Sequence, residues 1–197
     1  MGRLRRRNTS GAVRDHSVAA VWGFAEATFF FVVPDVWTSW LGLRRPRRGL
    51  STACSALGGA LLGGAVTWRW ARSVSAESSR AALIRVPAIS AGMVEHVEQE
   101  VTASGHRALL RGPTRGVPYK LYARASGLQH KSLLNFLAWS VPGRLIRFMT
   151  VTLLTAGIAR LIRMAFPQVP ERDISAVFWA GWGGFYAWFI TVMSRRR

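Results

Sequence analysis

The chain has 197 residues, half of them hydrophobic, nine of them tryptophan and only 18% charged, which lies outside the usual balance of a soluble domain. Its formal charge of +18 sits mainly in arginine clusters that punctuate long apolar runs: Arg3, Arg5, Arg6 and Arg7, then Arg44, Arg45, Arg47 and Arg48, and finally Arg195, Arg196 and Arg197. That distribution argues against a nucleic-acid binder, which needs one basic face on a soluble fold, and for juxtamembrane segments retained on the cytoplasmic side.

Residues 1–16 read as a basic cytoplasmic tail, because the apolar stretch behind them contains Glu26 and lacks an Ala-x-Ala cleavage pattern. The block 17–43 is long enough to cross a bilayer once, yet arginine clusters flank both ends and Glu26 and Pro34-Asp35 interrupt it. A re-entrant hairpin, entering and leaving by one face, accommodates all three features; the alternative is a tilted span kinked at Pro34 with Asp35 near an interface. Residues 50–71 make one crossing of about 33 Å as a helix. Within it Gly59 and Gly63 form a GxxxG, with Gly58 and Gly64 beside them, which lets another helix approach closely. Cys54, the only cysteine, excludes an internal disulfide and a cysteine zinc site, and its small-residue surroundings suggest a buried, inert thiol.

From 73 to 111 the composition is mixed and no spanning run fits. A helical period places Met93, Val94, Val97 and Val101 on one side with the glutamates mostly elsewhere, as in an amphipathic helix at the interface or against the bundle. His96 and His106 read as solvated rather than as metal ligands. The stretch 112–142 is broken again. Its GPTRGVPYKLYARASG carries Arg115, Lys120 and Arg124, the last two sharing a face of any helix that starts at Pro118. The predicted structural breaks are Pro34, Pro118, Gly127 and Pro142. A second re-entrant hairpin, basic where the first is acidic, is one reading of 112–142; an extramembrane loop with solvated basic residues is the other.

Residues 145–166 form a further span, flanked or interrupted by Arg144, Arg147, Arg160 and Arg163, which snorkelling to the interfaces explains. About 20 Å separates Arg147 from Arg160 along a helix, less than the hydrocarbon thickness, so a thinned region or a helix facing a cavity fits as well. The last span, 174–193, carries Trp179, Trp182, Tyr186 and Trp188 along its whole length, which predicts that some of these rings pack against other helices, and 195–197 form a basic tail. With both terminal arginine clusters in the cytoplasm the number of crossings is even, and 112–141 has to supply the fourth. The predicted fold is an all-α integral membrane protein, a single polytopic domain over 17–194 with two opposed re-entrant hairpins in an inverted-repeat-like arrangement.

Phe24-Ala-Glu26 followed by Pro34-Asp35, and Arg115-Gly-Val-Pro118-Tyr-Lys120 followed by Gly127, Phe136 and Gly143, resemble the acidic and basic motifs of the DedA family, the VTT-domain or SNARE-associated membrane proteins. The resemblance covers roughly residues 20 to 150. The chain departs from the family in lacking a glycine between the proline and the acid, and in having Leu121 where an arginine is usual, with Lys120 one position earlier. The resemblance implies hairpins facing each other across a bacterial inner membrane. It also implies translocation of a polyprenyl phosphate or phospholipid, coupled to protons in bacterial members.

The residues themselves fit a site for an anionic lipid headgroup. Arg115, Lys120 and Arg124 would hold a phosphate, and Glu26 and Asp35 would neutralise those cations in its absence or take up a proton. The same residues also fit a small scaffold or assembly protein whose intramembrane ion pairs are purely structural. No enzyme is expected, since the chain lacks HExxH, Gly-x-Ser-x-Gly and a paired-aspartate signature, and no cofactor or metal is called for. The expected partners are membrane lipid and a second copy of the chain in a homo-oligomer, with no nucleic acid.

Overall fold

A computed structural model describes residues 2–194, and its regular elements are all helical. In chain order they are α1 (Gly2–Thr28), α2 (Asp35–Arg44), α3 (Pro46–Ser73), α4 (Ala76–Ile84), α5 (Ala91–Ser104), a 3-10 segment (Gly105–Leu110), α6 (Gly112–Arg115), α7 (Tyr119–Leu128), α8 (Leu133–Ala165) and α9 (Glu171–Ser194). Two of them, α3 and α8, are long and apolar enough to cross a membrane. The stretch expected as an N-terminal tail is helical from Gly2 onward, and the tail 195–197 lies outside the described residues.

Residues 29–34 separate α1 from α2, and Pro34, at the N-cap of α2, marks the predicted break. The Trp22 indole donates to the Val32 carbonyl at 2.9 Å and ties the turn to the helix before it. From there α2 turns back against α3 and α8, while Trp37 Nε1 donates to the Asp15 carbonyl at 3.1 Å and Arg48 pairs with the Asp15 carboxylate at 2.7 Å. The chain thus comes back to the level of residue 15 before α3 starts. Next, α3 rises parallel to α1, with its small residues against it. A Cβ on Gly59 would overlap the Ala20 carbonyl, and one on Gly63 would lie 2.6 Å from that of Phe24. The GxxxG therefore serves the close packing expected of it. Cys54, by contrast, is exposed rather than buried: its neighbour one turn on, Gly58, has open space, so this face of α3 points outward.

The second half is built on α7, whose N-cap is Pro118, the predicted break. Tyr119 lies against Gly64 and Gly127 against the Trp68 carbonyl, so α7 runs parallel to the C-terminal half of α3. Gly127 is accordingly no break; it sits inside α7, small because the α3 backbone lies against it. Pro142 does not break the chain either. The segments expected at 133–141 and 145–166 are one helix of 33 residues running through it. A proline costs one backbone hydrogen bond, and a long helix held on several sides carries that cost without ending. Val94, Val97 and Val101 form the buried face of α5 as their spacing predicts, but this face packs onto α7 and its surroundings in the main core, with Trp68, Tyr122 and Phe136.

The stretch 112–141, expected to supply a fourth crossing, is no single helix but comprises α6, α7 and the first turns of α8. Gly112 lies against Tyr122, and Leu109, just before that stretch, has its carbonyl 3.0 Å from where a Gly143 Cβ would stand. The stretch thus ends at the height where it began, because α7 climbs and α8 descends. Beyond α8 the chain reverses once more. Ile174 packs with Leu43 and Ala159 at the arginine-rich end, while Tyr186 reaches Val33 part-way along, so α9 runs antiparallel to α8. Its C-terminal end points away from Arg44–Arg48. The outer surface carries Val21, Leu62, Ile146, Leu154, Leu161 and Trp188 exposed, large apolar side chains spread over α1, α3, α8 and α9.

Candidate functional site

Glu26, in the last turn of α1, and Asp35, the first residue of α2, flank the first break. Arg144 and Arg147 lie three apart on α8 and so share a face. That face is turned to the break: Arg144 pairs with Glu26, and Arg147 Nη2 donates to Asp35 Oδ2 at 2.7 Å. The Arg144 guanidinium is further held against the Tyr119 ring, 4.3 Å from its centroid, and near the Phe148 ring at 5.0 Å. The Tyr119 hydroxyl donates to Ser140 at 2.9 Å, which fixes that ring in turn. Glu26, Asp35 and Arg144 are all buried.

The predicted meeting of Glu26 and Asp35 with Arg115, Lys120 and Arg124 is therefore largely replaced by a different pairing. Arg115 donates to Glu100 at 2.5 Å, and the same carboxylate accepts from the Tyr122 hydroxyl at 3.0 Å. Arg124 donates to Ser79 at 2.8 Å and to the Ala76 carbonyl at 2.7 Å, and pairs with Glu98. The cause is α5, whose Glu100 and Glu98 meet Arg115 at the end of α6 and Arg124 on α7 and neutralise these two cations locally. Lys120 alone of the three stays with the acids. Its Nζ donates to the Phe30 carbonyl at 2.6 Å, which joins the second break to the first.

Where the two breaks meet there is a cavity of about 560 Å³. Its floor is polar, with Glu26, Asp35, Lys120 and Arg147. Its walls are apolar: Val86 to Ile89 from the α4–α5 connection, and Phe178, Trp182, Phe185 and Phe189 from α9. Ala88, on this rim, holds a left-handed backbone at φ +65°, an uncommon conformation for a residue other than glycine. Arg144 sits behind the floor, clamped between rings, whereas Arg147 lines the cavity and keeps part of its side chain accessible. Asp35 Oδ1, fully buried, has no hydrogen-bond partner among the described residues. Two acids face three cations, Arg144, Arg147 and Lys120, so the group carries one positive charge in excess when all five are ionised. Such a cavity is suited to an amphiphile with an anionic head and an apolar body.

Arg144 and Arg147 escaped the sequence reading as partners because snorkelling accounts for arginines at a helix end, and their true position is mid-helix, α8 beginning at Leu133. The available signal was their i, i+3 spacing inside an apolar run with no acid nearby in sequence. The α9 wall was legible too, since Phe178, Trp182, Phe185 and Phe189 recur every three or four residues. No family model, no curated protein and no solved structure matches the chain.

Proposed function

We propose that the chain is an integral membrane protein that moves a lipid with a phosphate headgroup between leaflets, in the manner the DedA family resemblance implies. The observation that carries this reading is the floor of Glu26, Asp35, Lys120 and Arg147 beneath apolar walls, at the point where two interrupted elements meet. A phosphate crossing hydrocarbon needs such a place, because an unpaired ion there costs several kcal/mol or more. Arg147 offers it a planar fork of donors and Lys120 a point charge. Asp35 competes for Arg147, so an arriving phosphate frees a carboxylate, which is then able to take a proton.

The helix arrangement is read as two half-depth hairpins and three full crossings. Support comes from the Asp15–Arg48 pair, which joins both ends of the first hairpin, and from the equal starting and ending height of the second. Each short helix, α2 or α7, has 10 residues, about 15 Å, half the hydrocarbon thickness. The two halves also exchange partners: α2 packs on α8 through Gly42 and Thr152, and α7 on α3 through Gly127 and Trp68. That reciprocity is what an inverted repeat produces. The scaffold reading has its own supporting observation, the closed state of the pairs Glu26–Arg144, Arg115–Glu100 and Arg124–Glu98.

The test is reconstitution of the full chain into phosphatidylcholine vesicles that contain a fluorescent, headgroup-labelled phosphatidylglycerol. An impermeant reductant then bleaches the exposed leaflet. The expected result is bleaching beyond the outer leaflet's share, lost in Arg147→Gln and Lys120→Gln. Bleaching limited to the outer leaflet in the wild type overturns transport of this lipid and favours the scaffold.

A further inference from the structure

We infer that α9 is a subsite for the hydrocarbon tail of the bound lipid, with a lateral opening beside it through which the rest of the tail stays in the bilayer. This rests on the lipid reading above. The polar floor accounts for a headgroup and leaves unexplained why one whole helix face turns to the cavity.

The argument begins with shape. A cavity of about 560 Å³ has the size of one that encloses a compact small molecule, too small for a membrane lipid with its chains. The chains have to leave it. Val177 and Phe185 line the cavity and are also 69% and 45% exposed, so the space opens to the outside along α9. The occupant is then fixed by continuity: apolar wall, polar floor and open side form one space, and only an amphiphile matches all of it.

The attachment of α9 fits the same role. At the arginine-rich end Trp40 packs on Phe178 and Trp179, with ring centroids 5.5 and 5.0 Å away, and Arg163 pairs with Glu171 at 2.6 Å. Half-way along, Val33 N–H donates to the Tyr186 hydroxyl at 2.8 Å, holding the wall beside the first break. Gly181 lies on the cavity face between these two anchors, and a Cβ there would meet nothing within 4 Å. A larger side chain at 181 thus fills the subsite without disturbing the fold, and leucine raises helix propensity besides. Gly183, equally free of neighbours, does not line the cavity.

The experiment uses the full chain in phosphatidylcholine vesicles carrying a phosphatidylglycerol with a photoactivatable diazirine in its acyl chain, the adducts being mapped by mass spectrometry. Adducts are expected on Phe185 and Phe189, falling about tenfold in Gly181→Leu and unchanged in Gly183→Leu. They fall in Arg147→Gln as well, whereas adducts on the outer α8 residues Leu154 and Leu161 persist in all variants. Headgroup-labelled lipid exchange follows the same order. Equal α9 adducts in wild type, Gly181→Leu and Arg147→Gln overturn the subsite, since they then report only surrounding lipid. Phe185→Ala, which deletes one wall ring, must reduce the Phe189 adducts; if it leaves them unchanged, the subsite falls as well. If wild-type exchange is absent while the adducts behave as expected, the transport reading fails and the tail subsite stands.

Discussion

At the residue scale, Glu26 and Asp35 are buried acids that each pair with an arginine of α8. Removing one member of a buried ion pair leaves a charge with no compensation, at a cost of about 3 to 5 kcal/mol. Glu26→Gln and Arg144→Met are each expected to lower stability in detergent by that order, and the double variant by clearly less than their sum. A double-mutant cycle from thermal melts measures the coupling, and Glu26→Gln with Arg124→Met, a cation held by Glu98 and Ser79, is expected to be additive. Coupling to Arg124 equal to that with Arg144 would reinstate the pairing read from the sequence.

A second expectation at this scale concerns His106. Burial, with Lys131 adding to it, lowers its pKa below the ordinary 6.5. Its ring lies 6.2 Å from that of Phe136, and Nε2 has no hydrogen-bond partner among the described residues. The fold therefore favours the neutral imidazole. Stability from this group is complete above the unfolded value of about 6.5 and is lost as pH falls through the lower folded value. Melting temperature of the wild type should drop over that acid range, and His106→Gln should remove that part of the slope; an identical slope in the variant would assign it to other groups.

At the scale of elements, the spacing of small and apolar residues was a dependable guide and single breakers were not. Gly59 and Gly63 read as a contact face and are one; leucine at Gly59 would drive its Cβ into the Ala20 carbonyl. Gly59→Leu is expected to prevent stable folding, while Gly58→Leu, with open space, melts within a few degrees of wild type, as read by size-exclusion and thermal melts in detergent. Pro34 and Pro118 begin helices and break the chain, whereas Pro142 sits inside α8. The residue type is the same, and what differs is the packing on either side of it. Pro142→Ala is accordingly expected to leave folding intact and raise melting slightly, since it restores a backbone donor. Loss of folding there would show that the proline shapes α8.

At the scale of the whole molecule, the proposed reading of three crossings and two returning hairpins sets the expected topology. Single cysteines introduced at Arg14, Arg47 and Gln168 in a Cys54→Ser background should react with an impermeant reagent from one side, and those at Ser75 and His130 from the other. Labelling of Arg14 and Arg47 from opposite sides would replace the first hairpin with a kinked span. The sequence by itself determined the helical, membrane-compatible character of the chain, the break at Pro34, the buried stripe of α5 and, of the charged residues at the cavity, Glu26, Asp35 and Lys120. All of these follow from local composition and periodicity. Only the tertiary structure decided which cation meets which acid, that 112–141 folds back so that Leu109 lies against Gly143, and that α9 lines a cavity. Those depend on contacts between residues about a hundred positions apart, such as Glu26 with Arg144 and Val33 with Tyr186, where no local spacing rule reaches and the outcome rests on which helix faces the packing brings together.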